Sequence, residues 1–498
     1  MITNDAAFLR HPTPHPLIGR VPAGQSTPAD LYPLFRRGAG SFLLESGLRP
    51  DAGPGSWGRY SFLGGAPYRV ITAGDGLMDD REYDDRGHAR STPCRRPSAD
   101  PLVDACALWE RSAPIGVAVP GLPPLIGGAV GYLGYGLSRR HHRVGTAFRP
   151  GDVPDVGWMF VDVMAAFDHL DRTIALIFCP PADRWLGESR RRLLAEGLDR
   201  LHELAAAMVA AQIRGNVPTS PDSGGPIAPA PTTSPRAYAA MVERAKAYIA
   251  DGDIFQANLA QRFTADVGDR DGFEWYRRLR AINPSPFAAY LHVGDVQIIS
   301  SSPERLVRLE GREAETRPIA GTRPRGADAS DDERLTTELL VHDKERAEHL
   351  MLVDLERNDL GRVCTYGSVK VDELMATERY SHVMHIVSNI RGTLRPDAGP
   401  ADLLDAVFPG GTVTGVPKVR CLEIIEELEP VPRGLYTGAI GYLSWSGQMD
   451  WSIAIRTLVL QRGRLSFHAG AGIVADSIPE REYRETMDKA QALFEALK

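Results

Sequence analysis

Two stretches of the chain carry glutamates at a spacing that suits metal binding. Glu482 and Glu485 are three residues apart, and Glu345 and Glu348 repeat that spacing earlier in the chain. On a helix, residues three apart lie on one face. Mg²⁺ binds carboxylate oxygens together with water or substrate oxygens. Two helices are therefore predicted to face each other across one Mg²⁺ ion, although the same spacing also occurs on solvent-exposed helix faces with local Glu–Arg pairs.

The sequence near these helices offers groups that bind carboxylates. Gly470 and Gly472 allow backbone N–H groups to approach an anion closely, because glycine has no side chain in the way. The side chains able to pair with or donate to a carboxylate are Thr322, Tyr436, Arg456 and Lys489. A small compound with several carboxylates, one of them bridged through Mg²⁺, is the predicted ligand. His385 is either a general acid or base near neutral pH or a hydrogen-bonded core histidine.

Composition excludes several classes of function. The chain has 498 residues, 43% hydrophobic and 24% charged, as in ordinary globular proteins. The net charge of −7 argues against nucleic-acid binding. Five scattered cysteines without a CxxC pair indicate a reducing compartment. Neither a secretory signal nor a bilayer-length apolar run is evident, so we expect a cytoplasmic protein that does not bind membranes.

The predicted elements fall into two parts. Residues 1–212 form an N-terminal subdomain of short strands and a long helix. Residues 213–235 are rich in proline, serine, threonine and glycine, which predicts a flexible linker or loop. Residues 236–498 form the catalytic part. Ser234 and Pro235 are typical of a helix start, and a helix is predicted from residue 333 to residue 356.

Several motifs together resemble the chorismate-utilising enzymes: anthranilate synthase component I, aminodeoxychorismate synthase component I, and the isochorismate and salicylate synthases. The resemblance covers residues from about 236 to 498 and is weaker before them. The motifs that carry it are 317–326 (RPIAGTRPRG), 347–361 (AEHLMLVDLERNDLG), 378–385 (ERYSHVMH) and 469–474 (AGAGIV), with 43–46 (LLES) and 58–64 (GRYSFLG) in the first part.

The resemblance implies a fold and a set of residue roles. The fold would be α+β, a large antiparallel β-sandwich with helices on the outside. Glu348 and Glu485 would bind Mg²⁺ directly, with Glu345 and Glu482 beside it, and His385 would contact the ring or the leaving group of chorismate. The residues that would hold the substrate or line its pocket are Thr322, Thr412, Tyr436, Arg456, Gly470, Gly472 and Lys489.

Gln256 bears on the type of nucleophile. Isochorismate and salicylate synthases carry at this position a lysine base that activates water. Glutamine does not titrate near neutral pH and cannot serve as that base. An attacking amine is therefore predicted in place of water. The resemblance implies that a separate glutamine amidotransferase subunit, component II, supplies the ammonia.

Signals for the product conflict. Many aminodeoxychorismate synthases have a nucleophilic lysine where this chain has Ala320, the residue usual in anthranilate synthases. Pro286 and the following Phe287, Ala288 and Ala289 are typical of aminodeoxychorismate synthases. The balance favours 4-amino-4-deoxychorismate as the product, with anthranilate as the alternative. A non-catalytic regulator that binds chorismate or tryptophan is the alternative of another class. The residues implied for a tryptophan-type effector pocket are Glu45, Ser46, Asn283, Pro286 and Phe287.

Overall fold

The chain is described by a computed structural model over residues 5–37, 40–47, 58–84, 87–90, 92–113, 121–141, 151–214, 225–326, 328–379 and 383–498. Within these ranges the α-helices are α1 (Asp5–Arg10), α2 (Pro28–Leu31), α3 (Pro101–Ser112), α4 (Ala182–Gly187), α5 (Arg190–Arg214), α6 (Pro235–Ala250), α7 (Gly272–Ile282), α8 (Ala329–Val341), α9 (Asp343–Gly361), α10 (Pro400–Val407), α11 (Lys418–Leu428) and α12 (Pro479–Ala496). Short 3₁₀ turns occupy Tyr32–Phe35, Tyr135–His141 and Gly411–Val413.

The strands of the same ranges are β1 (Leu17–Pro22), β2 (Gly40–Glu45), β3 (Tyr60–Gly65), β4 (Arg69–Gly74), β5 (Leu77–Glu82), β6 (Cys94–Pro97), β7 (Gly128–Leu133), β8 (Val156–Val161), β9 (Val163–Asp168), β10 (Thr173–Phe178), β11 (Ala230–Pro231), β12 (Gln256–Asp266), β13 (Phe287–Val293), β14 (Val296–Ser302), β15 (Arg305–Glu310), β16 (Glu313–Thr316), β17 (Ile319–Pro324), β18 (Lys370–Arg379), β19 (Val383–Thr393), β20 (Gly415–Val416), β21 (Ala439–Ser444), β22 (Met449–Ile453), β23 (Thr457–Gln461) and β24 (Arg464–Ile473).

Two antiparallel sheets of 12 strands each form the body of the protein. The first has the order β1-β10-β9-β3-β2-β13-β14-β23-β24-β12-β11, with β20 paired to β12. The second has the order β17-β19-β16-β15-β22-β21-β7-β8-β4-β5-β6, with β18 paired to β19. Rings of Phe62 in the first sheet and Tyr442 in the second lie 5.6 Å apart, so the sheets pack face to face. The predicted α+β sandwich is confirmed.

Both sheets contain strands from both parts of the sequence. In the first sheet β2 pairs with β13, where Glu45 lies opposite Ala288. In the second sheet β7 pairs with β21. The outer face of the first sheet is covered by α5, α7 and α12, whose apolar side chains form a second core with it. The boundary at residues 213–235 therefore divides the sequence without dividing the sheets.

The predicted linker is ordered in its second half. Residues 215–224 lie outside the described residues. Beyond them, the Ile227 N–H donates to the Leu497 carbonyl, and β11 pairs with β12. Ile227 packs against the apolar core beneath the helices, so this part of the segment has apolar surface to bury. Helix α6 then begins as predicted, with the Ser234 hydroxyl accepting from the Ala237 N–H.

The single helix predicted over residues 333–356 is wrong. It is two helices, α8 and α9, separated at His342, whose ψ of 103° is extended. The imidazole of His342 caps the second helix by accepting from the Glu345 N–H at 3.4 Å. The break turns α9 toward the sheet edge and places Glu345 in its first turn. Pro479 at the start of α12 similarly fixes where the second glutamate helix begins.

Candidate active site

Two glycines of β24 form a close backbone surface. Gly470 and Gly472 are two residues apart and point to one side of the strand. A Cβ added at Gly470 would lie 2.8 Å from the Tyr436 hydroxyl and 2.6 Å from the Asn258 side-chain oxygen. One added at Gly472 would lie 2.7 Å from the Gln256 amide nitrogen. Both positions therefore require glycine for these polar groups to reach the strand.

Gln256 joins this surface to the first glutamate helix. Its Nε2 donates to Glu348 Oε1 at 2.7 Å, which brings Glu348 to the Gly472 side of the strand. The other amide atom, Gln256 Oε1, is buried and has no hydrogen-bond partner among the described residues. An unpaired buried acceptor is costly unless a ligand donates to it. Gln256 therefore offers the site a hydrogen-bond acceptor but no titratable base.

The second glutamate helix reaches the same strand at Gly470. Lys489 Nζ lies 2.7 Å from Glu485 Oε1 and donates to the Gly470 carbonyl at 3.2 Å. Glu482 and Glu485 both lie near the Tyr238 phenol, whose pKa is raised by burial first and by these carboxylates in addition. Glu348 and Glu485 therefore approach β24 at adjacent glycines, from α9 and α12 respectively.

Glu345 and His385 meet at a bulge in β17. Gly321 has a φ of +64° and interrupts the pairing of Ala320 and Thr322 with β19. Its carbonyl accepts from His385 Nδ1 at 3.2 Å. Glu345 Oε1 accepts from Arg323 at 2.8 Å, while Oε2 is buried without a hydrogen-bond partner among the described residues.

Burial sets the charge state of this histidine. It lowers the pKa of His385, so the ring is neutral at pH 7 with its proton on Nδ1. Thr322 pairs through its backbone with His385, whereas its side chain lies outside the described residues. Ala320 pairs with Ile386 and offers a methyl group at this position.

Glu304 is a functional candidate that the sequence reasoning missed. Only 6% of the residue is exposed, and burial raises the pKa of its carboxyl to about 7. The Thr412 hydroxyl, the Ile319 N–H and the charges of Arg456 and Lys489 offset part of this rise. A carboxyl that is half protonated near neutral pH suits proton transfer. The signal available in the sequence was a glutamate directly after the polar end of a buried strand, in the run Ser-Ser-Pro-Glu304.

Arg456 lies at a strained bend between β22 and β23. Its φ is +49°, a conformation rare for residues other than glycine. The guanidinium donates to Asn283 Oδ1 at 3.4 Å. Burial lowers the pKa of Arg456 while Glu304 opposes this, and the side chain remains a cation at pH 7. Most of its five donors are thus available to a ligand.

Tyr436 is held in place by stacking. Its ring lies 5.2 Å from that of His468 and beneath the guanidinium of Arg433 at 5.5 Å. Arg433 forms a buried ion pair with Glu429 at 2.7 Å and donates to the Asn258 and Val413 carbonyls. This network links β12, the turn that contains Thr412, and the tyrosine.

Four of the five predicted effector residues line a separate cavity of about 770 Å³ between the sheets: Glu45, Ser46, Pro286 and Phe287. Glu45 already accepts from the Tyr276 hydroxyl at 2.9 Å and from Arg280 Nε at 2.6 Å. Ala288 and Ala289 form part of the wall. The fifth residue, Asn283, faces Arg456 instead.

The four predicted metal ligands do not form one cluster. Over the described ranges, no group of three or more His, Cys, Asp or Glu side chains is arranged to hold a metal ion. Glu345 pairs with Arg323, Glu348 with Gln256 and Glu485 with Lys489. Like charges repel, so each of these three carboxylates has a cation or donor of its own.

The family model described as chorismate binding enzyme matches residues 79–495. The chain belongs to this family. Anthranilate synthase component 1 of Acetivibrio thermocellus is 41% identical over 488 residues, 97% of this chain and 95% of that protein. Aminodeoxychorismate synthase component 1 of Bacillus subtilis is 40% identical over 447 residues, 88% of this chain and 89% of that protein.

A solved relative has the same architecture. The crystal structure of anthranilate synthase component I from Streptococcus pneumoniae matches with a TM-score of 0.73 and 35% identity, covering 89% of this chain and 93% of that one. In the part of the chain that the structure describes, every helix is too short or too polar to cross a bilayer. Family and fold together make this chain a chorismate-utilising enzyme.

The glycine surface leads to a first testable prediction. Gly472→Ala is expected to weaken chorismate binding about tenfold, because the new methyl group displaces the Gln256 amide and with it Glu348. Isothermal titration with chorismate and Mg²⁺ measures this. Gly187→Ala is the matched control, since a Cβ there meets no atom within 4 Å. Equal affinity of both variants would show that the strand surface does not touch the ligand.

Proposed function

We propose that this protein aminates chorismate to 4-amino-4-deoxychorismate, with ammonia delivered by a glutamine amidotransferase subunit. The observation that carries the choice of an amine is the Gln256 contact with Glu348. An amide at this position cannot remove a proton from water, but its free Oε1 accepts a hydrogen bond from an N–H group. Ammonia is a donor that satisfies it.

The residues fit a Mg²⁺ ion in their chemistry. They are hard oxygen donors, and Glu345 Oε2 is buried without a hydrogen-bond partner among the described residues. Mg²⁺ is commonly held by one or two carboxylates plus water and substrate oxygens, so a cluster of three is not required. Glu348 and Glu485 would hold the ion, with Glu345 and Glu482 beside it. Bound there, the ion supplies positive charge for the ring carboxylate and the departing hydroxyl.

The remaining groups would orient chorismate and move protons. Arg456, Lys489 and the N–H groups around Gly470 bind the enolpyruvyl carboxylate, and Tyr436 and Thr412 line that side of the pocket. Glu304 lies near Arg456 and Lys489 and donates a proton to the leaving C4 hydroxyl. His385 is neutral, contacts the ring, and is fixed by the Gly321 carbonyl.

Ala320 restricts the route by which chorismate can be aminated. A methyl group cannot attack C2, so the amine itself is the nucleophile. Ammonia adds at C2 as the C4 hydroxyl leaves as water, and a second ammonia at C4 then expels the C2 amine. The net change is one hydroxyl replaced by one amino group, with release of one water molecule. The enolpyruvyl ether is retained, which distinguishes this product from anthranilate.

Anthranilate synthase component I is the second candidate. Ala320 is usual in that group, and the relative from Acetivibrio thermocellus bears that name. Aminodeoxychorismate is favoured by the run from Pro286 to Ala289, which resembles that group. Ala288 and Ala289 form part of the cavity wall, and their small side chains would leave a tryptophan-sized effector poorly enclosed. The same C2 amination followed by loss of pyruvate gives anthranilate.

A separate ammonia source fits the four buried cysteines of this chain. Cys106, Cys179, Cys364 and Cys421 are buried, and burial raises the pKa of each thiol. A glutaminase nucleophile needs a lowered pKa. We therefore propose component II as partner and a cytoplasmic location, where the glutamine pool is available.

Identification of the product tests the proposal directly. The purified chain is incubated with chorismate, Mg²⁺ and ammonium chloride, and the product is analysed by mass spectrometry. We expect 4-amino-4-deoxychorismate, with its enolpyruvyl group intact. Fluorescent anthranilate formed without an added lyase would establish the second candidate. Absence of any consumption would favour the non-catalytic regulator. Glutamine in place of ammonium, without component II, is the control and is expected to give no product.

A further inference from the structure

Asn283 is a loop residue that hydrogen-bonds to Arg456, a cation of the proposed active site. It follows α7 and precedes β13. Its Oδ1 is the one hydrogen-bond partner of the Arg456 guanidinium among the described residues, at 3.4 Å. We propose that Asn283 is a positioning residue that orients Arg456 toward the chorismate carboxylate. This rests on the part of the proposed function that places the carboxylate at Arg456.

The asparagine amide is itself fixed by two serines. Asn283 Nδ2 donates to Ser285 Oγ at 3.2 Å and to Ser301 Oγ at 3.2 Å. The Ser301 hydroxyl bonds back to the Asn283 carbonyl, and the Ser285 hydroxyl donates to that carbonyl at 3.3 Å. The Nδ2 group and the Oδ1 atom of this side-chain amide thus each have partners, and exchanging the two atoms would lose these bonds, which leaves the amide one orientation. A fixed acceptor restricts the rotamers of the long arginine side chain.

The backbone beneath Arg456 is held by the same cluster. The Ser301 N–H donates to the Arg456 carbonyl at 3.1 Å, across the pairing of β14 with the start of β23. Ser285 is anchored on its other side, since its carbonyl accepts from the Gly47 N–H at 2.8 Å. A Cβ at Gly47 would lie 2.8 Å from the Ser285 nitrogen, so the loop and the strand end are in direct contact.

Charge explains why a neutral amide suits this position. Arg456 is already close to the Glu304 carboxyl. A second carboxylate in place of Asn283 would neutralise the guanidinium and compete with the substrate anion. An amide oxygen orients the cation and leaves its charge available. Affinity for a carboxylate then depends on the acceptor at position 283, although that residue does not touch the substrate.

A double-mutant cycle tests this inference. Chorismate affinity is measured by isothermal titration with Mg²⁺ and without ammonia, so that the amination does not interfere. Asn283→Ala is expected to weaken binding about tenfold, the lower end for a hydrogen bond to a charged group. In an Arg456→Ala background the same change is expected to have less than about twofold effect, because the group it orients is gone. Equal losses in both backgrounds would overturn the inference.

Further variants separate this role from a structural one. Ser285→Ala, which removes the bond between the amide and the Ser285 hydroxyl, is expected to weaken binding about threefold through the same arginine. Ser300→Ala is the matched control: it removes the buried bond between Ser300 and Thr457 at 2.8 Å, next to the cluster but outside it. We expect unchanged affinity for this control, and a loss as large as that of Asn283→Ala would contradict the inference. Unchanged affinity of Arg456→Ala would instead refute the substrate placement itself, while the product analysis decides the reaction independently.

Discussion

Glu348→Gln is expected to reduce Mg²⁺-dependent consumption of chorismate at least about a hundredfold, beyond the range seen for residues that only support a metal ligand. The amide keeps the shape of the side chain and its contact with Gln256 but removes the charge that binds the cation. Initial rates are measured over a Mg²⁺ titration. The variant should also need more Mg²⁺ for half-maximal rate. Glu485→Gln is expected to have the same effect, since Glu485 approaches β24 from α12, the other glutamate helix.

Asp354→Asn is the control for this change. It neutralises a carboxylate on the same helix, α9. The Asp354 side chain is 78% exposed and pairs with Arg357. Its rate and its Mg²⁺ dependence should match the parent protein. Near-normal turnover in Glu348→Gln or Glu485→Gln would remove that residue from the metal site and restore the interpretation of these glutamates as local ion-pair partners.

Glu304→Gln is expected to slow turnover by about 10²–10⁴-fold, the usual contribution of a positioned general acid. The parent enzyme should lose activity as pH rises through about 7, because burial raises the pKa of Glu304 to about 7 and the acid must be protonated to donate. Below that pH the neutral form predominates and this limb is flat. The residual activity of the variant should lack the transition, since an amide does not titrate. A profile of kcat against pH with ammonia held saturating measures both effects.

Glu310→Gln provides the matched control for the pH profile. This carboxylate ends β15, the strand that directly follows Glu304, and its side chain is 60% exposed. Its profile should be that of the parent. A transition near pH 7 that persists in Glu304→Gln would assign the ionisation to another group, such as the buried carboxyl of Glu356, whose pKa is also raised by burial.

Local signals account for the features that could be predicted from the sequence. The start of α6 at Ser234 and Pro235 depends on side-chain capping, which is visible in a short window. The glutamates on α9 and α12 follow from helical spacing. The break at His342 escapes prediction because no proline or glycine marks it, and the cap that decides it is an imidazole.

Features that depend on tertiary contacts could not be predicted from the sequence. Glu304 looks like any glutamate until the packing of both sheets buries it and raises its pKa. Asn283 was grouped with the effector residues by its neighbours in the chain, whereas its side chain turns toward a residue 173 positions away. The separate partners of Glu345, Glu348 and Glu485 likewise depend on which arginine, glutamine or lysine the fold brings near.

The shared sheets have a consequence for synthesis of the chain on the ribosome. β2 and β7 are made early, yet their partners β13 and β21 follow more than 240 and 300 residues later. Until then the nascent chain exposes two unpaired apolar strand edges, which are templates for aggregation. Such distant pairing also makes folding slow. Production of this enzyme in a foreign host should therefore depend on chaperone capacity and growth temperature more than on the stability of the finished protein.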